Sequence, residues 1–118
     1  MMRRFAIATA LASLTACYRA PERVVPGGNV DRGKEQIVAT GCGACHIIGG
    51  IPGAHGRVGP DLSDVSSRTV IGGVLPNTPD NITRWIADAP SISPQTAMPN
   101  LGLTAAQARD VAAYLYAR

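Results

Sequence analysis

Aromatic side chains are scarce in this chain: Phe5, Tyr18, Trp85, Tyr114 and Tyr116 make up 4% of 118 residues. A chain of this length has room for one core, so with few large rings a bound group could supply part of its apolar interior. Lysine is scarcer still, Lys34 standing alone among eleven basic residues, which rules out a ring of lysines as a docking surface. Histidine occurs only at His46 and His55. The longest uncharged apolar run, residues 5–16, is too short for a bilayer, which takes about 20 residues of helix.

That run follows Arg3 and Arg4, the positive start of an export signal. It ends in Leu14-Thr15-Ala16-Cys17, which resembles the lipobox of bacterial lipoprotein signals. The expectation is a signal peptide over residues 1–16, lipid on Cys17 and a tether over residues 17–30. The alternative is an ordinary secretory signal cut near Ala16, with Cys17 an incidental thiol. Either way the domain is expected on the periplasmic side of a bacterial membrane, lipid-anchored or else soluble in the periplasm. The charge then changes as well. Eleven basic residues less two arginines leave nine against eight acidic ones, a balance of +1 that gives nucleic-acid binding no support.

Residues 18–30 carry two prolines, two glycines and no sustained period, so they read as an extended tether of at most roughly 40 Å. A helix is expected over residues 31–40, with Asp31 as N-cap, Gly41 as its stop, and Gly33, Ile37 and Val38 facing inward. Residues 49–76, with seven glycines and three prolines, show neither a helical nor an alternating period. So long a loop needs something to wrap around. Thr78 and Pro79 announce a second helix with Ile82, Trp85, Ile86 and Ala89 on one face, ended by Pro90. Thr104 and Gln107 match a capping box, Leu103 takes the staple position before it, and Ala108, Val111, Ala112 and Leu115 form the stripe of a last helix. There is no internal repeat and no low-complexity tract.

Cys42-Gly43-Ala44-Cys45-His46 is the c-type haem attachment sequence. Two thiols three residues apart on a helical turn can each add to one haem vinyl group, and His46 then faces the iron as proximal ligand. The competing readings are a redox dithiol and half of a zinc site. The first wants alternating strands and helices, for which there is no strand pattern; the second wants another ligand pair, and only His55 is available. Three cysteines in an exported chain leave one odd, and haem on Cys42 and Cys45 with lipid on Cys17 would use all three.

Beyond the signal, Met98 is the one methionine, fifty-two residues after His46 in Thr96-Ala97-Met98-Pro99-Asn100. That separation lets the chain pass to the opposite face of the haem, making Met98 the candidate sixth ligand; the alternative is a thioether filling a gap in the core. His55, nine residues after His46, is expected at the surface or near a propionate.

With these residues in place, the sequence is identified as a member of the class I cytochromes c over residues 31–118. The resemblance implies an all-α fold of three to five helices around one covalent haem, with the first and last helices crossing. Gly59-Pro60-Asp61-Leu62 looks like the family's proximal loop, which implies that the Pro60 carbonyl holds His46 and that Leu62 packs on the haem. Leu75-Pro76-Asn77-Thr78-Pro79-Asp80-Asn81, Trp85-Ile86 and Met98-Pro99 resemble the cytochrome c domain fused to subunit II of some bacterial haem-copper oxidases, whose copper-binding domain is absent here. Many members carry a glycine eight and an aromatic four residues before the first haem cysteine, where this chain has Lys34 and Val38; Gly33 implies a one-residue insertion, placed at Gly41.

An iron held by histidine and methionine has no vacancy for substrate, so the expected function is one-electron transfer by a membrane-tethered, monomeric carrier rather than an enzyme. Its partners would be a redox donor and acceptor, a terminal oxidase or dehydrogenase, with Arg57, Arg68 and Arg84 as contacts, each equally readable as a solvated arginine or a propionate partner. A haem subunit of a dehydrogenase or oxidase complex, and a peroxidase or gas-binding protein, are the alternatives.

Overall fold

The computed structural model describes residues 23–118, so the expected signal peptide and Cys17 lie outside the described residues. Three helices carry the fold: α1 (Val30–Thr40), α2 (Pro79–Ile92) and α3 (Ala105–Tyr116). The long loop between α1 and α2 holds two single 3-10 turns and a hairpin of β1 (Val70–Ile71) and β2 (Leu75–Pro76), paired antiparallel. Strands of two residues are too short to show alternation, which is why the sequence reads as loop there.

The N-cap of α1 is Asn29 rather than Asp31. Its side chain accepts from the Arg32 amide at 2.9 Å, and Asp31 lies in the first turn, where its charge favours the helix dipole. Gly41, at φ 78°, ends the helix in the left-handed conformation that glycine adopts without steric cost. Val38, expected inward, is 59% exposed. Gly33 and Ile37 are the buried pair of this helix. A Cβ on Gly33 would come 2.0 Å from the Asp110 carbonyl oxygen, so the crossing of α1 on α3 depends on a missing side chain at that point.

Thr78 caps α2, accepting from the Asn81 amide, with Pro79 at the first helical position. Pro90 does not end this helix as expected. The break falls at Asp88 (φ −157°, ψ 76°), because a proline ring clashes with the carbonyl four residues back, and one further turn then runs to Ile92 with Asp88 bonded to Ser91. The capping box of α3 is formed by Thr104 and Gln107 in both directions. Its buried surface is wider than the expected stripe: residues 110–116 are all buried, because α1, α2 and the loop before α2 pack around it.

Of the residues expected as a tether, those described pack on the domain. Val25 is 5% exposed within the core cluster, and the Asn29 amide donates to the Asp110 carboxylate at 2.8 Å. Arg23 donates to the Asn77 carbonyl at 2.9 Å. From residue 23 onward the chain is part of the domain.

Candidate haem-binding site

The helices and the long loop enclose a cavity of about 550 Å³. Its walls are apolar, with Ile37, Ile48, Ile82 and Leu115 among the residues lining it, and Arg68 is the one formally charged side chain among the described lining residues. Cys42, Cys45, His46, Pro60, Leu62, Trp85 and Met98 all line it, so the fold gathers residues that lie up to fifty-six positions apart.

The attachment segment leaves α1 through Gly41 and turns at once, with a single 3-10 turn over Cys42–Ala44 and the His46 amide donating to the Cys42 carbonyl at 3.1 Å. This turn puts both cysteines and the histidine on one side. His46 Nδ1 lies 2.7 Å from the Pro60 carbonyl oxygen, the contact that the resemblance implies. With that nitrogen engaged as donor, Nε2 is left as the nitrogen available to a metal. Gly59 lies against the same ring: a Cβ there would come 2.3 Å from His46 Cε1, so only a hydrogen fits. The Gly59 amide donates to the Cys45 carbonyl at 2.8 Å and the Leu62 amide to the Ile47 carbonyl at 2.8 Å, stitching the proximal loop to the attachment segment.

Burial pushes the Cys42 thiol up from its ordinary pKa. A disulfide oxidoreductase uses the opposite shift, a thiolate stabilised near neutral pH, so this environment does not favour the redox-dithiol reading. The zinc reading fares no better, since no group of three or more metal-ligating His, Cys, Asp or Glu side chains exists among the described residues. His55 is exposed, pairs with Ile47 through a lone β-bridge and does not line the cavity.

Met98 lines the same cavity with Thr96, Ala97, Pro99 and Leu101, on the loop between α2 and α3. Trp85 of α2 stacks beneath the β1–β2 turn, where a Cβ on Gly72 would come 2.4 Å from its ring. Among the arginines expected as contacts, Arg68 bonds Asp64 at 2.8 Å and the Asp61 carbonyl, Arg84 reaches the Asn81 side chain at 3.4 Å, and Arg57 is exposed. Asn77 carries no mark in the sequence beyond its place in the Leu75–Asn81 motif. It is 8% exposed with every polar atom of its side chain bonded, and a polar residue just before an N-cap was the only available signal.

A flat apolar macrocycle held by two thioethers and an axial imidazole fits this donor set and this cavity, which define a small helical haem protein. The chain belongs to the cytochrome c family, whose model matches residues 30–117, and the family's cofactor is a covalently bound haem c. It is 32% identical over 69 residues to a protein named cytochrome c oxidase subunit 2 from Alkalihalophilus pseudofirmus. That match covers 58% of this chain and 19% of the relative, so the chain spans about a fifth of that protein's length. No solved structure matches. No helix among the described residues is long and apolar enough to cross a membrane.

Proposed function

We propose that the protein relays single electrons through one haem c attached at Cys42 and Cys45, with His46 and Met98 as axial ligands. The observation that carries this reading is the convergence of His46 and Met98 on one apolar cavity, His46 with its Nδ1 held by the Pro60 carbonyl at 2.7 Å. Haem bound there supplies reversible one-electron chemistry between Fe(III) and Fe(II). His46, oriented by Pro60, and Met98, a soft sulfur that favours the reduced metal, would hold the iron, and aliphatic walls would exclude water. Leu62 and Trp85 would pack on the macrocycle. With both axial positions taken by protein, a carrier is favoured over an enzyme.

Lipid on Cys17 would confine the domain to the periplasmic face of a membrane and raise its effective concentration near its donor and acceptor. Arg23 is six residues beyond Cys17, so the free tether spans no more than about 20 Å. A terminal oxidase is the acceptor this reading favours. The likeness to an oxidase subunit supports a second reading, a haem subunit of an oxidase or dehydrogenase complex.

The test is a reduced-minus-oxidised spectrum with intact-mass analysis of membrane-extracted protein. A c-type spectrum, a mass carrying one haem and lipid, and a weak far-red methionine-to-iron band in the ferric protein are expected. Colourless protein whose mass lacks the macrocycle overturns the reading, and co-purification with larger chains decides for the subunit.

A further inference from the structure

The Asn77 side chain is the meeting point of three parts of the molecule. Its amide nitrogen donates to the Val65 and Arg68 carbonyls, each at 2.8 Å, and its amide oxygen accepts from the Tyr116 hydroxyl at 2.6 Å. The backbone takes part too: its N–H donates to the Thr69 carbonyl at 2.9 Å and its carbonyl accepts from Arg23 at 2.9 Å. Two donors facing two carbonyls and one acceptor facing a hydroxyl leave the amide a single orientation. Arg23 also lies over the Tyr116 ring, 6.0 Å from its centre, so the start of the domain and the end of α3 close on Asn77 together.

What Asn77 grips is one wall of the cavity. Val65, Arg68 and Val70 line it, and Arg68 brings the only formal charge among the described lining residues. Ferric haem carries one more positive charge than ferrous haem, so a fixed cation nearby favours the reduced form, by an amount that falls with distance. Asp64 offsets part of that charge, but its side chain is 67% exposed and therefore well screened by water. The guanidinium of Arg68 is steadied by Asp64 and by the Asp61 carbonyl, while its backbone is steadied by Asn77.

We propose that Asn77, latched by Tyr116 and Arg23, is a positioning residue that holds the wall of residues 65–70 and, through Arg68, sets the haem's reduction potential. The proposal rests on the haem reading above. It makes the docked N-terminal segment part of the redox site rather than a mere leash.

The test is potentiometry, with thermal melting alongside, on the haem-loaded full chain and on Arg68→Gln, Asn77→Ala, Tyr116→Phe and the two doubles that combine Arg68→Gln with each of the others. The potential is expected to fall most in Arg68→Gln, less in Asn77→Ala and least in Tyr116→Phe. In the Arg68→Gln background neither second change should lower it further. A wild-type or raised potential in Asn77→Ala or Tyr116→Phe, accompanied only by a lower melting temperature, overturns the proposal, and so does a shift that persists undiminished without Arg68. Should Asn77→Ala not accumulate with haem, Tyr116→Phe in both backgrounds decides by the same criteria. Absence of haem from the wild-type chain is a different outcome, one that removes the haem reading itself.

Discussion

The two sides of the cavity are built differently. On the His46 side, hydrogen bonds join residues far apart in the chain: the Gly56 amide to the Gly43 carbonyl at 3.0 Å, the Gly49 amide to Ser63 Oγ at 3.0 Å, and the Tyr114 hydroxyl to the Gly49 carbonyl at 2.8 Å. On the Met98 side, the hydrogen bonds within residues 93–103 span at most three positions: the Thr96 amide to Ser93, the Met98 amide to Thr96 Oγ1 and the Gly102 amide to Asn100 Oδ1. Regions with few long-range bonds open locally at lower cost than regions tied into the core. His46 is therefore held by the fold, and Met98 by a loop that depends on its own short turns and on packing of Leu103.

The largest test of this contrast compares the two ligands directly. His46→Ala should yield almost no folded, haem-loaded protein, because the proximal loop loses the side chain around which Pro60 and Gly59 are arranged. Met98→Ala should still fold and keep its haem, while losing the far-red band and shifting to a lower potential. Equal yields by haem staining would mean the two sides are equally rigid.

Both sides hang from the α1–α3 crossing, so damage there should erase the contrast. Gly33→Val forces side-chain atoms onto the Asp110 carbonyl and is expected to cost about 3 kcal/mol by denaturant titration, the upper end for overpacking. A loss under about 1 kcal/mol would mean that the helices can slide apart without consequence.

Smaller changes sharpen the comparison. Ser63→Ala leaves the Gly49 amide without its partner and should cost about 1 kcal/mol. Thr96→Ala, which removes only a local bond, should stay within about 0.5 kcal/mol. Reversal of that order in melting experiments would contradict the asymmetry.

The crossing's charge shows in the acid dependence of stability. Arg32, bonded to the Asp110 carboxylate, holds that carboxyl below its usual range against the opposing effect of burial, with the Asn29 amide assisting. A depressed folded-state pKa contributes stability that is fully present above the unfolded value of about 3.9 and is lost as pH falls through the lower folded value. In Asp110→Asn this part of the acid dependence should be absent, so melting curves of the two proteins should converge below pH 4. Parallel curves down to pH 2 would show that the pair carries no such linkage.

Local chemistry was legible where its cause is local. The Gly41 stop, the Thr78 cap before Pro79 and the capping box at Thr104 and Gln107 all depend on neighbours within a few positions, so the chain announces them. The N-cap of α1 was misplaced by two residues because Asn29 and Asp31 have equal claims until tertiary contacts with Asp110 choose between them. The break in α2 was placed at Pro90 rather than Asp88, since a proline disturbs the turn that precedes it. Val38 points outward because α1 offers α3 only the narrow face around Gly33 and Ile37.

By itself, the amino-acid sequence determined the stop of α1 at Gly41 and the caps that open α2 and α3. Only the tertiary structure decided that residues 23–29 belong to the domain, that Asn77 is a buried hub and that Arg68 is the charge on the cavity wall. The physical reason is that the bonds from Arg23 to Asn77, from Asn29 to Asp110 and from Tyr116 to Asn77 join partners tens of residues apart, while Arg68 meets the cavity only once the long loop has folded around it, and neither leaves a period or spacing in the chain.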